Sequence, residues 1–237
     1  MKFLSKTLGI IGGMGPLATV ELFKKIVRHT NATCDQDHIR VLIDNNTSIP
    51  DRTESIIGEG EDPKKYLIES AQKLQSMGAN YLIMPCNTAH YFYQDIIKEI
   101  EIPFLNMIEE TANIILKRYP LIKKVGLLAT KGTCCSGVYD EVFSLYGIEL
   151  VKPYEDEQKH VTDLIYGMKE GVQDADLTGF YETVESMGNH GVHLFILGCT
   201  ELSVAYEKYK LKGNYVDPLS ILAMGAIAFA GKKVVNF

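Results

Sequence analysis

The feature that most constrains this chain is a unit that occurs twice. Tyr81-Leu-Ile-Met-Pro-Cys86-Asn87-Thr88-Ala-His90 and Leu194-Phe-Ile-Leu-Gly-Cys199-Thr200-Glu201-Leu are each a short apolar run that stops at a cysteine followed by small polar residues. Runs of that length, bounded by turn residues, read as buried strands of a parallel sheet. A glycine stands at the same offset before each cysteine (Gly78 and Gly191). The start of the chain is echoed as well: Val125-Gly126-Leu127-Leu128-Ala129-Thr130-Lys131-Gly132-Thr133 parallels Leu8-Gly9-Ile10-Ile11-Gly12-Gly13-Met14-Gly15-Pro16, and Tyr215-Val216-Asp217-Pro218 mirrors Phe104-Leu105-Asn106-Met107. Each echo is a strand that runs into a turn and then a helix.

Strand and helix alternate throughout, which predicts an α/β fold with parallel-rich sheets flanked by helices. The duplicated order predicts two pseudo-symmetric lobes. Residues 1–105 with 215–237 form the first, carrying Cys86, and residues 106–214 form the second, carrying Cys199. Leu17, Val20, Phe23 and Val27 mark the apolar face of the first helix, Ile39 to Ile43 reads as a strand, and the stretch from Asp44 to Gly60 reads as a long loop. Helices are expected from Pro63 to Met77, from Thr88 to Glu99, and from the Gly132 turn up to Tyr146. Ligands of open α/β sheets bind beyond the carboxyl ends of the strands, so the active site is expected in the cleft between the lobes.

Composition excludes several classes. The 237 residues are 46% hydrophobic with mixed charge, which predicts a packed soluble globule. A net charge of −6 with a pI near 5.6 argues against a nucleic-acid partner, which needs a basic face. No stretch approaches the roughly 18 apolar residues of a membrane span. Lys2 and Lys6 precede an apolar run as in a signal peptide, but Gly12, Gly13, Gly15 and Pro16 break that run. Five cysteines at irregular spacing do not make a disulfide framework and point to a reducing, cytoplasmic compartment. Cys134 and Cys135 read as small core or helix-start residues.

A single cysteine is most often a small buried hydrophobe. A pair at equivalent strand ends, each leading into a helix amino terminus, suggests more. Free backbone N–H groups there favour a thiolate and can hold a substrate carboxylate. Two opposed thiols can exchange a proton with one carbon from opposite faces, inverting it without a cofactor. A redox disulfide is the competing use, but the adjacent-cysteine spacing is missing. His90 shares a helix face with Cys86 and could pair with its thiol. A metal site with both cysteines is disfavoured, because no further Cys/His pairing completes a tetrahedral set.

Gly12-Gly13-Met14-Gly15-Pro16, Pro50-Asp51-Arg52-Thr53, Pro85-Cys86-Asn87-Thr88-Ala89, Ala129-Thr130-Lys131-Gly132-Thr133 and Gly198-Cys199-Thr200-Glu201-Leu202 together resemble the aspartate racemase branch of the Asp/Glu/hydantoin racemase superfamily. The glutamate racemase branch differs, with a histidine where this chain has Glu201. The resemblance implies a homodimer of two-lobed subunits. It also implies racemisation of a small acidic amino acid, aspartate first and glutamate second, independent of pyridoxal phosphate or any other cofactor. Cys86 and Cys199 would be the catalytic acid and base. Arg52 would grip a carboxylate, and Lys169 matches a lysine near the substrate. Asn87, Thr88 and Thr200 would donate to the α-carboxylate, Thr130 and Thr133 close the matching turn, and Met14 lines the site through its backbone. Asn46 would contact substrate or cap a turn. Glu201 would take the substrate ammonium or position Cys199.

Two other readings stay open. Gly13-Met14-Gly15-Pro16-Leu17-Ala18 fits a dinucleotide fingerprint after a strand, as in an NAD(P)-binding oxidoreductase, but that reading leaves both thiols unexplained. A non-catalytic two-lobed small-molecule sensor would keep the cleft without turnover.

Overall fold

The computed structural model describes residues 6–235. The first sheet holds β1 (Leu8–Gly12), β2 (Val41–Asn45) and β3 (Tyr81–Ile83) in the order β2-β1-β3. The second holds β4 (Lys124–Ala129), β5 (Glu149–Val151), β6 (Phe195–Gly198) and β7 (Tyr215–Val216) in the order β5-β4-β6-β7. All pairings are parallel, with Ile10 opposite Ile43 and Ile83 in one sheet and Leu128 opposite Leu197 in the other. A single parallel bridge from Leu82 to Phe104 stands in the first lobe where β7 stands in the second. Buried on both faces, β1 and β3 carry no charged side chain, as a doubly covered parallel sheet requires, and the hydroxyl of Tyr81 donates to the Ala226 carbonyl.

Among the described residues eleven α-helices cover the sheets: α1 (Pro16–His29), α2 (Arg52–Ile57), α3 (Lys64–Ser76), α4 (Tyr93–Ile97), α5 (Met107–Arg118), α6 (Lys131–Ser136), α7 (Val138–Ser144), α8 (Glu155–Lys169), α9 (Thr178–Asn189), α10 (Thr200–Tyr209) and α11 (Pro218–Phe229). The repeats end alike. Asn106 caps α5 through the N–H groups of Ile108 and Glu109, and Asp217 caps α11 through that of Leu219. Each capped helix then crosses over. Ile108, Ala112 and Ile115 of α5 pack among Val125, Leu127 and Ile196 of the second sheet, while Leu219, Leu222 and Ala226 of α11 pack among Leu8, Ile10 and Ile83 of the first. Among the described residues no helix is long and apolar enough to cross a membrane.

Several expectations need correction. Residues Leu17, Val20, Phe23 and Val27 face outward. The buried side of α1 is Ala18, Thr19, Leu22, Lys25 and Ile26. The helix carries two apolar stripes, and periodicity alone does not choose between them. The stretch from 44 to 60 is not all loop, since Asp51 accepts the N–H groups of Thr53 and Glu54 and starts α2, and Gly58 at φ +84° ends it. The helix expected from Thr88 begins as a 3₁₀ segment through Phe92 before α4. Gly137 at φ +75° divides the helix expected up to Tyr146 into α6 and α7. Strand β7, at the start of the segment assigned to the first lobe, pairs with β6 of the second sheet. Cys135 is exposed rather than core.

Candidate active site

Beyond β3 the chain passes through Met84 and Pro85 to Cys86, which is 5% exposed. His90 locks this loop. Its Nδ1 lies 2.8 Å from the Cys86 carbonyl, and its Nε2 accepts the Met107 N–H at 3.1 Å. That second bond assigns the ring proton to Nδ1, which therefore donates to the carbonyl. His90 thus holds the backbone of Cys86 rather than its thiol, and with both nitrogens committed it offers nothing to a metal. Burial pushes its pKa down to about 4, against the partly compensating bond to Cys86.

Cys199 occupies the N-cap position of α10 and is 7% exposed. Its Sγ donates to Glu201 Oε2 at 2.9 Å, and the Thr200 hydroxyl donates to the same oxygen at 3.2 Å. The depressed thiol expected at a helix start is absent here. Burial pushes Cys199 well up, and the charge and hydrogen bond of Glu201 push it further, with Lys169 opposing. Two adjacent buried acids outweigh the helix terminus.

Both thiols open onto one narrow crevice between the lobes. All but two of the residues read as a site from sequence line it: Met14, Arg52, Asn87, Thr88, Thr130, Lys169, Thr200 and Glu201 join the cysteines. Thr133 stands just behind, its hydroxyl 2.8 Å from that of Thr88 and 3.1 Å from that of Thr130. Asn46 lies outside. Its side chain accepts the Ser48 N–H in a turn, and its backbone packs so closely on Gly13 that a Cβ there would sit 2.3 Å from the Asn46 carbonyl oxygen. Asp51, Thr53 and Tyr139 are additions to the sequence reading. Asp51 and Thr53 line the crevice from the Pro-Asp-Arg-Thr motif itself. Tyr139 lies behind it, and no local pattern signals its role.

Two donors point to what the crevice holds. Tyr139 donates to Asn87 Oδ1 at 2.6 Å. That fixes the amide so that Nδ2 is the free end, and Nδ2 is buried without a partner. Arg52 spends Nη1 on the carbonyls of Ile49 and Pro50, at 3.3 and 3.0 Å, and leaves Nε buried and unpartnered. Unmet buried donors are rare in folded proteins, and two in one crevice suit an anionic ligand. Lys169, at the end of α8, lies 4.5 Å from the Tyr166 ring centroid. Burial pulls its pKa down, but Cys199, Glu201, Tyr166 and Asp51 together raise it, so it stays a cation. A cavity of about 210 Å³ adjoins the crevice, sharing Met14, Arg52, Lys169 and Glu201 and walled by Pro16, Leu17, Met168 and Val204.

Fold and site together define a two-lobed α/β protein whose two cysteines line one donor-rich crevice at the ends of its strands, together with the cations of Arg52 and Lys169 and the carboxylates of Asp51 and Glu201. The comparisons agree. The profile of the family described as Asp/Glu/Hydantoin racemase matches residues 11–226. The structure superposes on that of Picrophilus torridus aspartate racemase with a TM-score of 0.85 at 33% identity, over 97% of this chain and 96% of that one. The broad specificity amino-acid racemase RacX of Bacillus subtilis (strain 168) is 26% identical over 227 residues, 93% of this chain and 96% of RacX. A glutamate racemase from Francisella tularensis in complex with D-glutamate shares the fold, with a TM-score of 0.71 at 18% identity over 95% of this chain and 81% of that one. The chain belongs to the Asp/Glu/hydantoin racemase family and is an amino-acid racemase by that membership. The glycine turn that could have suggested a dinucleotide is filled from within, because the Gly13 N–H donates to the Thr19 hydroxyl at 3.1 Å and Asn46 packs against it.

Proposed function

We propose that the protein racemises an acidic amino acid, aspartate first and glutamate second, through the thiols of Cys86 and Cys199. The observation that carries this reading is that both sulfurs face one crevice in which Arg52 Nε and Asn87 Nδ2 are buried donors without partners. Asn87 Nδ2, with Thr88 and Thr200, would hold the α-carboxylate, and Arg52 with Lys169 the side-chain carboxylate. One thiolate takes the proton from Cα, leaving the electron pair on carbon, and the other thiol returns a proton to the opposite face. No cofactor enters these steps. The family's range, from an aspartate racemase to a broad-specificity enzyme, leaves the substrate to be set by the crevice, and its two cations favour a dicarboxylate. The same reading carries a cytoplasmic homodimer. All five cysteines are free thiols, and the outward apolar stripe of α1 offers area for a second subunit.

Incubating L-Asp, L-Glu and neutral amino acids with the protein in D₂O, and following optical rotation and Cα exchange, tests the reading. Racemisation of L-Asp with deuterium uptake is expected, and Cys86→Ser or Cys199→Ser should each lower it by at least ~10²-fold while the circular dichroism is unchanged. Full activity in either variant refutes the two-thiol assignment.

A further inference from the structure

Asn87 opens the 3₁₀ segment that follows Cys86, yet its side chain makes no capping bond there, the usual task of an asparagine at a helix start. It is buried and turned to the second lobe, where the Tyr139 hydroxyl donates to its Oδ1 at 2.6 Å. Tyr139 is itself held rigidly. Its side chain is wholly buried among Val125, Leu127 and Ile196 of the second sheet, with its ring centroid 5.9 Å from that of Phe143. Burial, reinforced by Asp217 and Cys199, pushes the phenol pKa up, so the hydroxyl keeps its proton. Among the described residues that proton has no acceptor other than Asn87 Oδ1. An amide can be turned end for end at little steric cost, and here the two orientations differ in what they leave unmet. As it stands, Oδ1 takes the phenol proton and only Nδ2 is left over, a donor lining the crevice. Reversed, Nδ2 would donate to the phenol oxygen, the phenol proton would be buried without an acceptor, and Oδ1 would face the crevice. A buried hydroxyl proton without an acceptor is costly, so the fold selects the first.

We propose that Tyr139 is a positioning residue that sets specificity: by fixing Asn87 as a donor, it makes the α-carboxylate subsite prefer a carboxylate over a carboxamide. The proposal rests on the reading that gives Asn87 Nδ2 the α-carboxylate of the substrate, and it supplies the means by which that subsite discriminates. A carboxylate offers acceptors in every direction and meets Nδ2 whichever of its oxygens is presented. A carboxamide can meet Nδ2 only through its oxygen, and its NH₂ must then find an acceptor elsewhere in the crevice. The hydroxyls of Thr88, Thr130 and Thr200 can rotate to donate or to accept, so they discriminate little. The amide of Asn87 cannot, as long as the phenol holds it. Without the phenol proton the amide is free to reverse and to present Oδ1 to the NH₂ of a carboxamide. A site built to hydrogen-bond one polar group rejects its analogue only while its own groups are fixed, and here the fixing comes from the opposite lobe.

The test compares L-aspartate with its α-amide, L-isoasparagine, in the parent and in Tyr139→Phe, which keeps the ring in its packing and removes only the hydroxyl. Deuterium uptake at Cα in D₂O gives kcat/KM for each compound, and the acid-to-amide ratio within one protein cancels general damage to the site. That ratio should fall by about tenfold or more in the variant, with the loss on aspartate carried by KM rather than kcat. Tyr139→Met also lacks the hydroxyl and should behave alike, and it serves if the phenylalanine variant does not fold. An unchanged ratio in a folded variant overturns the proposal, whatever happens to the absolute rates. A parent that exchanges no deuterium with either compound sinks the functional reading instead. The ratio is then read as the relative protection of Cys86 and Cys199 from iodoacetamide by the two compounds. A fall in that ratio in the variant supports the proposal, whereas an unmoved ratio, or no protection by either compound, overturns it.

Discussion

His90 couples the stability of the protein to pH through the loop that carries Cys86. Its ring is fully buried between Tyr93 and Phe104, with centroids 6.2 and 6.3 Å away, and it is neutral in the fold with a pKa of about 4 against an ordinary 6.5. The unfolded chain therefore binds a proton between those values that the folded chain refuses. Stability is fully present above pH 6.5 and falls as the pH drops through the window, levelling off below about 4. A shift of that size amounts to roughly 3.4 kcal/mol in all, of which about 2.6 kcal/mol is lost by pH 4.5. His90→Gln removes the titration. Its side-chain oxygen can still accept the Met107 N–H, but the Cys86 carbonyl loses its donor, costing about 1–3 kcal/mol at neutral pH. Urea unfolding of both proteins at pH 7.5 and 4.5 isolates the effect, because the carboxylates titrate in both and cancel in the difference. The gap between parent and variant should narrow by about 2–3 kcal/mol on acidification. A gap independent of pH would refute the assignment of a neutral, clamped imidazole.

Other expectations follow from individual contacts. Tyr139→Phe removes the donor that orients the Asn87 amide, so KM should rise about tenfold, equivalent to roughly 1.4 kcal/mol, with a smaller effect on kcat. Steady-state kinetics showing an unchanged KM would count against that role. Gly132→Ala sets a Cβ 2.7 Å from the Thr53 Cα, and the overpacking between α2 and α6 should destabilise the fold by about 1–3 kcal/mol, read as a lower urea midpoint. Arg52→Ala should raise KM for a dicarboxylate by about 100-fold or more while the alkylation rate of Cys199 changes little. Equal loss on neutral amino acids would show that Arg52 does not read the second carboxylate.

The sequence made visible whatever is written in contiguous residues. The apolar runs ending at Cys86 and Cys199, the glycines ahead of them and the capped helices after Asn106 and Asp217 are local signals, and they place both thiols at strand ends. Features settled across space were out of reach. The outer stripe of α1 is as apolar as the inner one, and only the position of α11 decides which is covered. The α2 helix carries its own signals in Asp51 and Gly58, but Pro50 and the acidic, glycine-containing stretch up to Gly60 obscure them. Tyr139 reaches Asn87 from a different lobe, so no spacing could pair them. Glu201 lies only two residues from Cys199, yet the turn of its carboxylate back onto the Cys199 and Thr200 side chains is not disclosed by that spacing.

The two sheets share no strand, so something else must hold Cys86 and Cys199 in a fixed relation. The exchanged helices supply the first link, because α5 leaves the first lobe to cover the second sheet and α11 does the reverse. Polar contacts supply the second. The hydroxyls of Thr88, Thr130 and Thr133 meet across the lobes, and the missing side chain of Gly132 lets α2 lie directly against α6. On the far side, Lys25 of α1 is buried between Glu207 of α10 and Asp217, and Asp217 in turn accepts the hydroxyl of Ser203 in the first turn of α10. The helix that begins at Cys199 is thereby tied to the helix that follows the Met14 turn. Lys25 and Asp217 are buried while Glu207 reaches solvent, so the contact adds little net stability, but without the carboxylates Lys25 would be an uncompensated buried charge, so the arrangement admits few alternatives. Proton exchange at a single carbon from two faces requires that constraint, since a thiol displaced by about an ångström loses much of its advantage.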